Sequence, residues 1–369
     1  MSLPNTSRAA VLRKFGERLK IEDVPIPRAI EPGAMLVRTE ACSICGTDVH
    51  LWQGSLALKV DLPVILGHEM VGRIVAMGAG TERDSVGQPL KEGDRIVWTH
   101  TACGHCFYCT VARQPTLCDN RRAYMYENME RPPHLLGGFS EYGYVLPESG
   151  RIRVPENVPN ELASLSSCAF RSVMNAFDNL GGITPDETVA IQGAGPLGLL
   201  ATALASTAGA RRVVVIGAPD DRLAIARRFG ATETISIERH DAAERLAALR
   251  DLTDGRGADV VMEFTGHPAA FGEGLEIVRK GGRYLIVGQL GEGATEIKPS
   301  TIVKKNIRVI GSFSGDARSY WKALTFVSRH MDDIPFGEMI SNRYRLEDVN
   351  EALTRMKALK EIKPVIELA

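Results

Sequence analysis

The stretch VAIQGAGPLGLL, residues 189–200, decides the fold of this chain. An apolar strand-like run leads into three glycines, Gly193, Gly195 and Gly198, and an apolar helix-like run follows. In such a turn the first glycine permits the tight bend, the second lets the backbone approach a pyrophosphate, and the third lets helix and strand pack closely. The helix N-terminus favours the negative charge of that pyrophosphate. The stretch therefore predicts a dinucleotide-binding turn rather than an ordinary glycine-rich loop.

Strand-like and helix-like segments alternate from about residue 166 to residue 313. Apolar runs predict strands at 187–192, 211–217, 232–237, 258–264, 282–288 and 307–313. Apolar residues spaced three and four apart predict helices at 196–208, 220–230, 241–253 and 268–282. This alternation is typical of a parallel sheet covered by helices on both faces. The last predicted strand would lie at a sheet edge, where subunits can pair.

The residues before about 165 have a different pattern. Short strand-like runs are separated by glycine and proline, as in an irregular all-β unit, at 34–41, 72–78, 94–100 and 141–147. From about residue 319 to 360 the pattern is helical. The strand-like IKPVIEL, 362–368, ends the chain and is expected to return to the first unit.

Four cysteines lie close together in the loop TACGHCFYCTVARQPTLC, residues 101–118: Cys103, Cys106, Cys109 and Cys118. Short gaps let thiolates from one irregular loop point at a common centre, as a tetrahedral structural zinc site requires. Two disulfides, or free thiols that happen to cluster, are the alternatives, but disulfides belong to oxidising compartments. The loop therefore predicts one structural zinc.

Size and charge restrict the class of protein. A chain of 369 residues exceeds one hydrophobic core, so about two domains are expected. A net charge of −1 offers no field that would recruit nucleic acid or an anionic membrane. No apolar stretch reaches about 18 residues, and MSLPNTSRAA lacks the apolar core of an export signal. These features predict a cytoplasmic enzyme that acts on small molecules.

The second predicted strand of the nucleotide-binding region ends at Gly217. A dinucleotide fold normally has an acid there, about 20 residues beyond the glycines, which binds the adenosine ribose. Without this carboxylate the NAD ribose lacks a hydrogen-bond partner, and the 2′-phosphate of NADP is not repelled. Arg222 is close enough in sequence to contact either the ribose or the 2′-phosphate. The cofactor is therefore NAD or NADP, with NADP expected to be accepted. A solvated helix charge is the alternative interpretation of Arg222.

Several motifs, in this order and at these separations, make the whole chain resemble the zinc-dependent medium-chain dehydrogenase/reductase family, with its alcohol, polyol and threonine dehydrogenases. They are CGTD at 45–48, GHE at 67–69, the four-cysteine loop and GAGPLG at 193–198. The resemblance implies an α/β chain with two domains: a GroES-like irregular β catalytic domain, 1–165 and 314–369, with a zinc lobe at about 100–120, and a doubly wound Rossmann domain, 166–313. It also implies reversible NAD(P)-linked hydride transfer between an alcohol and its ketone or aldehyde, with a secondary alcohol or polyol preferred.

The resemblance further implies a second, catalytic zinc held by Cys45, His68 and Cys168. Two thiolates and one imidazole leave a fourth position for water or substrate. Polyol dehydrogenases of the family can use the acid after the histidine instead, so Glu69 is the alternative to Cys168. We interpret Cys42, which matches no ligand position, as a packed thiol.

The resemblance also implies roles for Thr47, Asp48 and His50, which follow Cys45 in the sequence. Thr47 takes the alcohol proton and passes it through the nicotinamide ribose to His50 at the surface, since histidine is the side chain best suited to proton exchange with solvent. Asp48 accepts the other N–H of His68 and fixes its tautomer. A turn residue, a surface imidazole and a helix cap are the respective structural alternatives.

Cofactor contacts follow from the motifs and, more loosely, from the resemblance, which puts Ser172 on the nicotinamide side, Leu197 behind the ring and Lys363 on the pyrophosphate. The full expected set is Ser172, Gly193, Gly195, Pro196, Leu197, Gly198, Gly217, Arg222, Gln289 and Lys363.

The sequence predicts the substrate less well than it predicts the class of reaction. The basic segment 121–138 either caps the cleft and favours an anionic or bulky substrate, or is a surface excursion. Arg171, near Cys168 in sequence, either faces the substrate or pairs with an acid. We expect a homodimer or homotetramer. The alternative function is a non-catalytic NAD(P)-binding redox sensor that keeps only the structural zinc, but the chain retains every catalytic ligand.

Overall fold

The computed structural model describes residues 3–56 and 58–368. Residues 1–2 and 369, at the ends of the expected first domain, lie outside the described part, as does residue 57. The chain divides into two compact units. The first contains the residues up to Arg171, Ser314–Met331 and the residues from Met339 onward, and the second contains Ser172–Phe313 and Asp332–Glu338.

Helices and strands follow one another along the chain in three stretches. The N-terminal stretch contains β1 Thr6–Leu12, β2 Lys20–Pro25, β3 Met35–Ser43, α1 Gly46–Gln53, β4 Val64–Ile65, β5 Glu69–Met77, β6 Arg95–Thr101, α2 Phe107–Thr110, β7 Tyr142–Val145, β8 Ser149–Arg153 and α3 Asn160–Leu165. The middle stretch contains α4 Arg171–Leu180, β9 Thr188–Gln192, α5 Pro196–Thr207, β10 Arg212–Gly217, α6 Asp220–Arg228, β11 Glu233–Ser236, α7 Ala242–Asp251, β12 Ala258–Glu263, α8 Pro268–Ile277, β13 Val278–Ile286, α9 Pro299–Lys305 and β14 Arg308–Gly311. The C-terminal stretch contains α10 Ala317–His330, β15 Ile340–Arg345, α11 Val349–Lys357 and β16 Lys363–Glu367.

The first unit contains a sheet with the strand order β15-β16-β3-β5-β6-β8, in which β7 also pairs with β3, and a smaller sheet with the order β2-β1-β4. Most of the pairs are antiparallel, and the irregular β unit expected from the sequence is confirmed. The C-terminal β16 pairs antiparallel with β3, so the chain returns to this unit as expected. Ser43 is thereby flanked by Val365 on one side and Glu69 on the other.

The second unit contains one fully parallel sheet in the order β11-β10-β9-β12-β13-β14. In order of appearance the strands read 3-2-1-4-5-6, the order of the Rossmann fold, and the sequence prediction is confirmed. Its buried strands are continuous apolar runs, because both faces of a parallel sheet are covered. Strand β14 lies at the edge, also as expected.

Two segments differ from their sequence-based predictions. The helix predicted over 268–282 ends at Ile277, because Val278 takes an extended conformation and pairs with Ala258 at the start of β13. The predicted helical tail is interrupted by β15, an edge strand held by backbone pairing with β16. None of its residues is buried and half of them are exposed, so no apolar alternation indicated the strand.

The described residues include no helix with the length and apolar character needed to cross a membrane.

Candidate active site

The site begins where strand β3 ends and helix α1 starts. Cys45 is the N-cap residue of α1, and Glu69 is the first residue of the neighbouring β5. A chain of hydroxyl contacts joins this corner to α3: the Ser43 N–H donates to Ser164 Oγ at 2.7 Å, and Ser164 Oγ donates to the Glu69 carbonyl at 2.6 Å. Buried hydrogen bonds of this kind fix the backbone from which the functional side chains project.

One donor atom from each of Cys45, His68, Glu69 and Cys168 lies within 4.8 Å of the others. The imidazole Nε2 of His68 lies 3.4 Å from the Cys45 sulfur and 3.1 Å from the Cys168 sulfur. Cys45 and His68 are only 8% and 4% exposed. Two sulfurs and one imidazole nitrogen turned toward one buried centre fit a zinc ion with an open fourth position.

Asp48 ties the loop backbones of this cluster together and is fully buried. Its carboxylate accepts the backbone N–H of Cys45 at 2.8 Å and that of Gly67 at 3.1 Å. The other ring nitrogen of His68, Nδ1, lies 3.5 Å from Asp48 Oδ1. Burial opposes ionisation, but His68 and these hydrogen bonds hold the pKa of Asp48 below its usual value. The carboxylate therefore caps α1 and also faces His68.

Lys363 occupies a different place from the one expected. Its ammonium is completely buried and lies 2.5 Å from both carboxylate oxygens of Glu69. This placement corrects the expected pyrophosphate contact, because the charge is neutralised inside the cluster. The register of β16, β3 and β5 explains the pair, since Val365 and Glu69 flank Ser43. The sequence predicted that the C-terminal strand returns to the first unit, but it did not predict the register in which β16 pairs with β3.

The electrostatics of the cluster favour a cation. Burial works against a charged imidazole, yet Cys45, Cys168 and Asp48 together raise the pKa of His68 well above its ordinary value. Burial raises the pKa of Cys45, whereas contact with Cys45 and the charges of His68 and Arg171 lower that of Cys168. Thiols and carboxylates that draw positive charge into a buried centre are characteristic of a metal site.

Thr47 and His50 lie three residues apart on α1, and residues at that spacing share a helix face. Thr47 is half-buried, whereas His50 is exposed, and its Nδ1 lies 3.0 Å from Ser55 Oγ. One face of α1 therefore carries a half-buried hydroxyl and an exposed imidazole.

The four-cysteine loop is also assembled. One sulfur each from Cys103, Cys106, Cys109 and Cys118 lies within 4.8 Å of the others, and all four are free thiols. Asn120 Nδ2 donates to the Cys103 sulfur at 3.5 Å. This contact, followed by backbone hydrogen bonds, lowers the pKa of Cys103 to about 6. Four sulfurs around one point fit a structural zinc ion.

Comparisons with known proteins match both halves of the chain. The family models described as "Alcohol dehydrogenase GroES-like domain" and "Zinc-binding dehydrogenase" match residues 31–156 and 196–329. The chain is 34% identical over 363 residues to a 5-exo-hydroxycamphor dehydrogenase of Pseudomonas putida, covering 98% of each. It is 30% identical over 350 residues to an L-threonine 3-dehydrogenase of Anaeromyxobacter dehalogenans, covering 94% of each.

Solved structures agree. An alcohol dehydrogenase from Thermotoga maritima superposes with a TM-score of 0.92 at 34% identity, covering 98% of this chain and 99% of that one. A zinc-binding dehydrogenase from Sinorhizobium meliloti bound to NADP gives 0.85 at 30% identity, covering 99% and 100%. The chain belongs to the zinc-dependent medium-chain dehydrogenase family. It is an NAD(P)-linked, zinc-using oxidoreductase acting on CH–OH groups, and the sensor alternative is not favoured.

The glycine turn that was predicted to bind the nucleotide lies between β9 and α5. Gly193 follows β9 with φ +114°, and Gly195 is the N-cap residue of α5. A Cβ on Gly198 would lie 1.9 Å from the Gly193 carbonyl oxygen, so this position requires glycine. Pro196 and Leu197, in the first turn of α5, are half-buried. The turn fits the backbone approach that a dinucleotide needs.

The remaining expected cofactor residues lie in the second unit of the dehydrogenase. Gly217 ends β10, and a Cβ there would lie 2.9 Å from the Cβ of Ala194. Arg222 is half-buried on α6, and burial lowers its pKa. Ser172 is half-buried on α4, and the Gln289 amide donates to the His267 carbonyl at 3.0 Å.

Sequence reasoning missed several side chains beside the metal cluster. The sulfur of Met125, in a residue with φ +68°, lies 3.2 Å from His68 Nδ1. His100 stacks on His68 at 6.2 Å, and its Nδ1 accepts the N–H of Tyr124. Burial raises the pKa of the nearby Tyr126 to about 12. Tyr124 and Met125 of segment 121–138 are thus buried beside the site, whereas Arg122, Glu130 and Arg131 of the same segment are exposed.

Proposed function

We propose that Cys45, His68 and Cys168 hold the catalytic zinc of this dehydrogenase, with Glu69 as a nearby carboxylate, and that the four-cysteine loop holds a structural zinc. The observation that carries the proposal is the 4.8 Å convergence of donor atoms from segments distant in sequence. The ion pair between Lys363 and Glu69 favours Cys168 as the third ligand at rest, because the Glu69 charge is already neutralised.

Zinc would supply a Lewis acid for the substrate oxygen, and NAD(P) the acceptor or donor of hydride. Residues of the chain transfer the proton and orient the zinc ligands. The Thr47 hydroxyl holds the proton of the alcohol at its Oγ1, and the exposed His50 exchanges it with solvent. Asp48 orients His68 and pins the Cys45 backbone, so that the ligand atoms need little reorganisation.

The ligand proposal is tested by zinc per chain in the wild type and in Cys45→Ser, with turnover over an alcohol panel. We expect about two zinc ions to fall to about one, with the fold intact. Turnover should fall by about three orders of magnitude, since several kcal/mol of transition-state stabilisation are lost. A zinc content that the substitution leaves unchanged would contradict the assignment.

Acceptance of NADP is part of the proposal. The contact of Gly217 with Ala194 leaves no room for the acidic side chain that would repel a 2′-phosphate, and Arg222 follows nearby on α6. We expect Michaelis constants for NAD and NADP to be of similar size, and Arg222→Ala to raise the constant for NADP more than that for NAD. A preference for NAD of about a hundredfold, or ~2.7 kcal/mol, would overturn this.

A secondary alcohol is the proposed substrate class. The names of the two relatives, 5-exo-hydroxycamphor dehydrogenase and L-threonine 3-dehydrogenase, both denote a hydroxyl on a secondary carbon. Steady-state rates over matched primary and secondary alcohols and polyols test this choice. A panel in which short primary alcohols react fastest would exclude it.

The catalytic domain is proposed as 1–165 with 314–369, and the nucleotide-binding domain as 166–313. A homodimer or homotetramer is also proposed, since β14 is a sheet edge and its Val309 is 40% exposed. Light scattering tests this, and a monomer at micromolar concentration would contradict it. The free thiols of the described cysteines suit a reducing compartment, and the proposed location is the cytoplasm.

A further inference from the structure

Arg171 is a buried cation three residues after Cys168 and is only 3% exposed. Its Nε donates to the carbonyl of Ser167 at 3.2 Å, and Ser167 is the residue just before Cys168. Its Nη1 donates to Ser314 Oγ and, at 3.3 Å, to the Gly315 carbonyl. These partners are neutral oxygens, so the positive charge is neither paired by them nor solvated.

An aromatic ring also packs against Arg171. The Tyr320 ring lies 5.4 Å below the guanidinium carbon, a cation–π contact. An arginine side chain stays protonated in proteins, so a fixed positive charge lies three residues from Cys168.

The backbone around Cys168 is unusual as well. Ser166–Phe170 forms a π-helical turn between α3 and α4, and Arg171 ends it. Ser167 Oγ donates back to the Ser164 carbonyl at 2.7 Å. A π-turn costs energy and persists only where surrounding contacts hold it, and such turns recur at functional sites. The bond from Arg171 to Ser167 is one of those contacts.

The partner loop is shaped to receive Arg171. Ser314 adopts φ +63°, a left-handed conformation that costs a serine energy. A Cβ on Gly315 would lie 2.9 Å from the Arg171 carbonyl oxygen and 3.0 Å from its Cδ. Only a glycine lets this loop close over the arginine.

Arg121 reaches the same hydroxyl from the opposite direction. Its Nη2 donates to Ser314 Oγ at 3.0 Å, and its Nη1 donates to the Thr116 carbonyl at 3.3 Å. Thr116 lies inside the four-cysteine loop, between Cys109 and Cys118. A continuous series of hydrogen bonds therefore leads from the four-cysteine loop, through Arg121, Ser314 and Arg171, to Ser167 beside Cys168.

We propose that Arg171 is a positioning residue for the ligand Cys168, and that Ser314 and Arg121 connect it to the four-cysteine loop. The inference rests on the proposed function, in which both cysteine sites hold zinc. Arg171 fixes the π-turn that aims the Cys168 sulfur and balances the thiolate charge. Disturbing the four-cysteine loop then loosens the catalytic ligand set through Arg121.

The first test compares Arg171→Met with Arg171→Lys, and uses Arg122→Met as the matched control. Arg122 is the neighbour of Arg121 in the same segment, but pairs with Glu127 at a half-exposed surface. One readout is the rate at which a chelator removes zinc from the catalytic site. The other is the visible spectrum of the Co²⁺-substituted protein. Neither depends on turnover.

We expect Arg171→Met to speed zinc loss by about ten- to a hundredfold and to shift the Co²⁺ spectrum. Arg171→Lys should restore the charge but not the forked contacts, and give an intermediate rate. Arg122→Met should match the wild type. If Arg171→Met does not fold, Ser314→Ala, which removes only the shared hydroxyl, should still speed zinc loss several-fold. Wild-type zinc retention and spectra in the folded Arg171→Met or Ser314→Ala protein would overturn the proposal.

The second test is a double-mutant cycle of Arg121→Met and Cys109→Ser, read as zinc loss from the catalytic site. If the series couples the two sites, each change alone should speed the loss and the pair should be less than additive. Additive effects would remove the connection through Arg121. Failure of Cys45→Ser to lower the zinc content would instead refute the proposed function, so the two failures are distinguishable.

Discussion

The two cysteine sites of the first unit are built in opposite ways. The four-cysteine loop takes all its sulfurs from residues 103–118, and its Cys103, Cys106 and Cys109 are only partly buried. The Cys45 cluster gathers side chains more than a hundred residues apart into a buried centre, and β3, β5 and the π-turn hold them. We therefore expect the loop to depend on its metal for shape and the cluster to depend on the fold for its geometry.

This difference has an energetic meaning. A loop whose side chains are largely exposed gains little from burial, so its order comes mainly from metal–sulfur bonds. The cluster is supported by hydrogen bonds from Asp48 and Ser164 and by the Lys363–Glu69 pair. Removal of its metal should therefore leave the surrounding fold in place.

The largest expected effect is at the loop. Cys109→Ser removes one of four sulfurs from a site type whose zinc contributes about 10–16 kcal/mol in small peptides, so we expect that zinc to be lost. Residues 101–118 should then become sensitive to limited proteolysis, which measures the local opening. Cys42→Ala, at a fully buried thiol outside both sites, is the control and should keep both metals. Unchanged protease resistance in Cys109→Ser would show that the loop holds itself without metal.

Lys363→Met should give the next largest effect, because it leaves the Glu69 carboxylate buried and uncompensated. Breaking such a pair costs about 3–5 kcal/mol of unfolding free energy. Chemical denaturation measures the loss, and the double variant with Glu69→Gln should recover most of it, since both charges are then gone. A single variant as stable as the wild type would mean that water reaches this part of the cluster.

The same contrast explains what could be read from the sequence. The loop was predictable because all its ligands lie in one short stretch at zinc-site spacing. The nucleotide turn was predictable for the same reason, and the clash of a Cβ on Gly198 with Gly193 shows why its pattern is strict. Cys45, His68 and Cys168 could be named only through the resemblance, since spacing carries no signal across such separations.

Other features follow from register and packing, which one sequence does not encode locally. The position of Lys363 depends on how β16 aligns with β3. The approach of the Met125 sulfur to His68 depends on the path of an irregular segment. The sequence did not predict β15, because an edge strand held by backbone hydrogen bonds needs no apolar alternation.

Asp48→Asn tests the scaffold of the buried cluster with a nearly isosteric change. The amide keeps the size of the side chain but offers only one oxygen to the Cys45 and Gly67 N–H groups and loses the charge that faces His68. We expect zinc affinity at the catalytic site to fall about 10–100-fold, as for other residues that orient metal ligands. Competition with a chromophoric chelator measures it, and Glu127→Gln, at a surface carboxylate, should match the wild type.

The smallest expected effect is the corresponding change at the loop. Asn120 donates a hydrogen bond to the Cys103 sulfur, whereas the Asp48 carboxylate accepts the backbone N–H groups of Cys45 and Gly67. Asn120 is exposed, and Asp48 is buried. Water can replace its amide, so Asn120→Ala should cost about 1 kcal/mol or less of zinc binding, a change of a few-fold at most. The same chelator competition measures both variants. An Asn120→Ala loss as large as that of Asp48→Asn would mean that burial is not what separates the two sites.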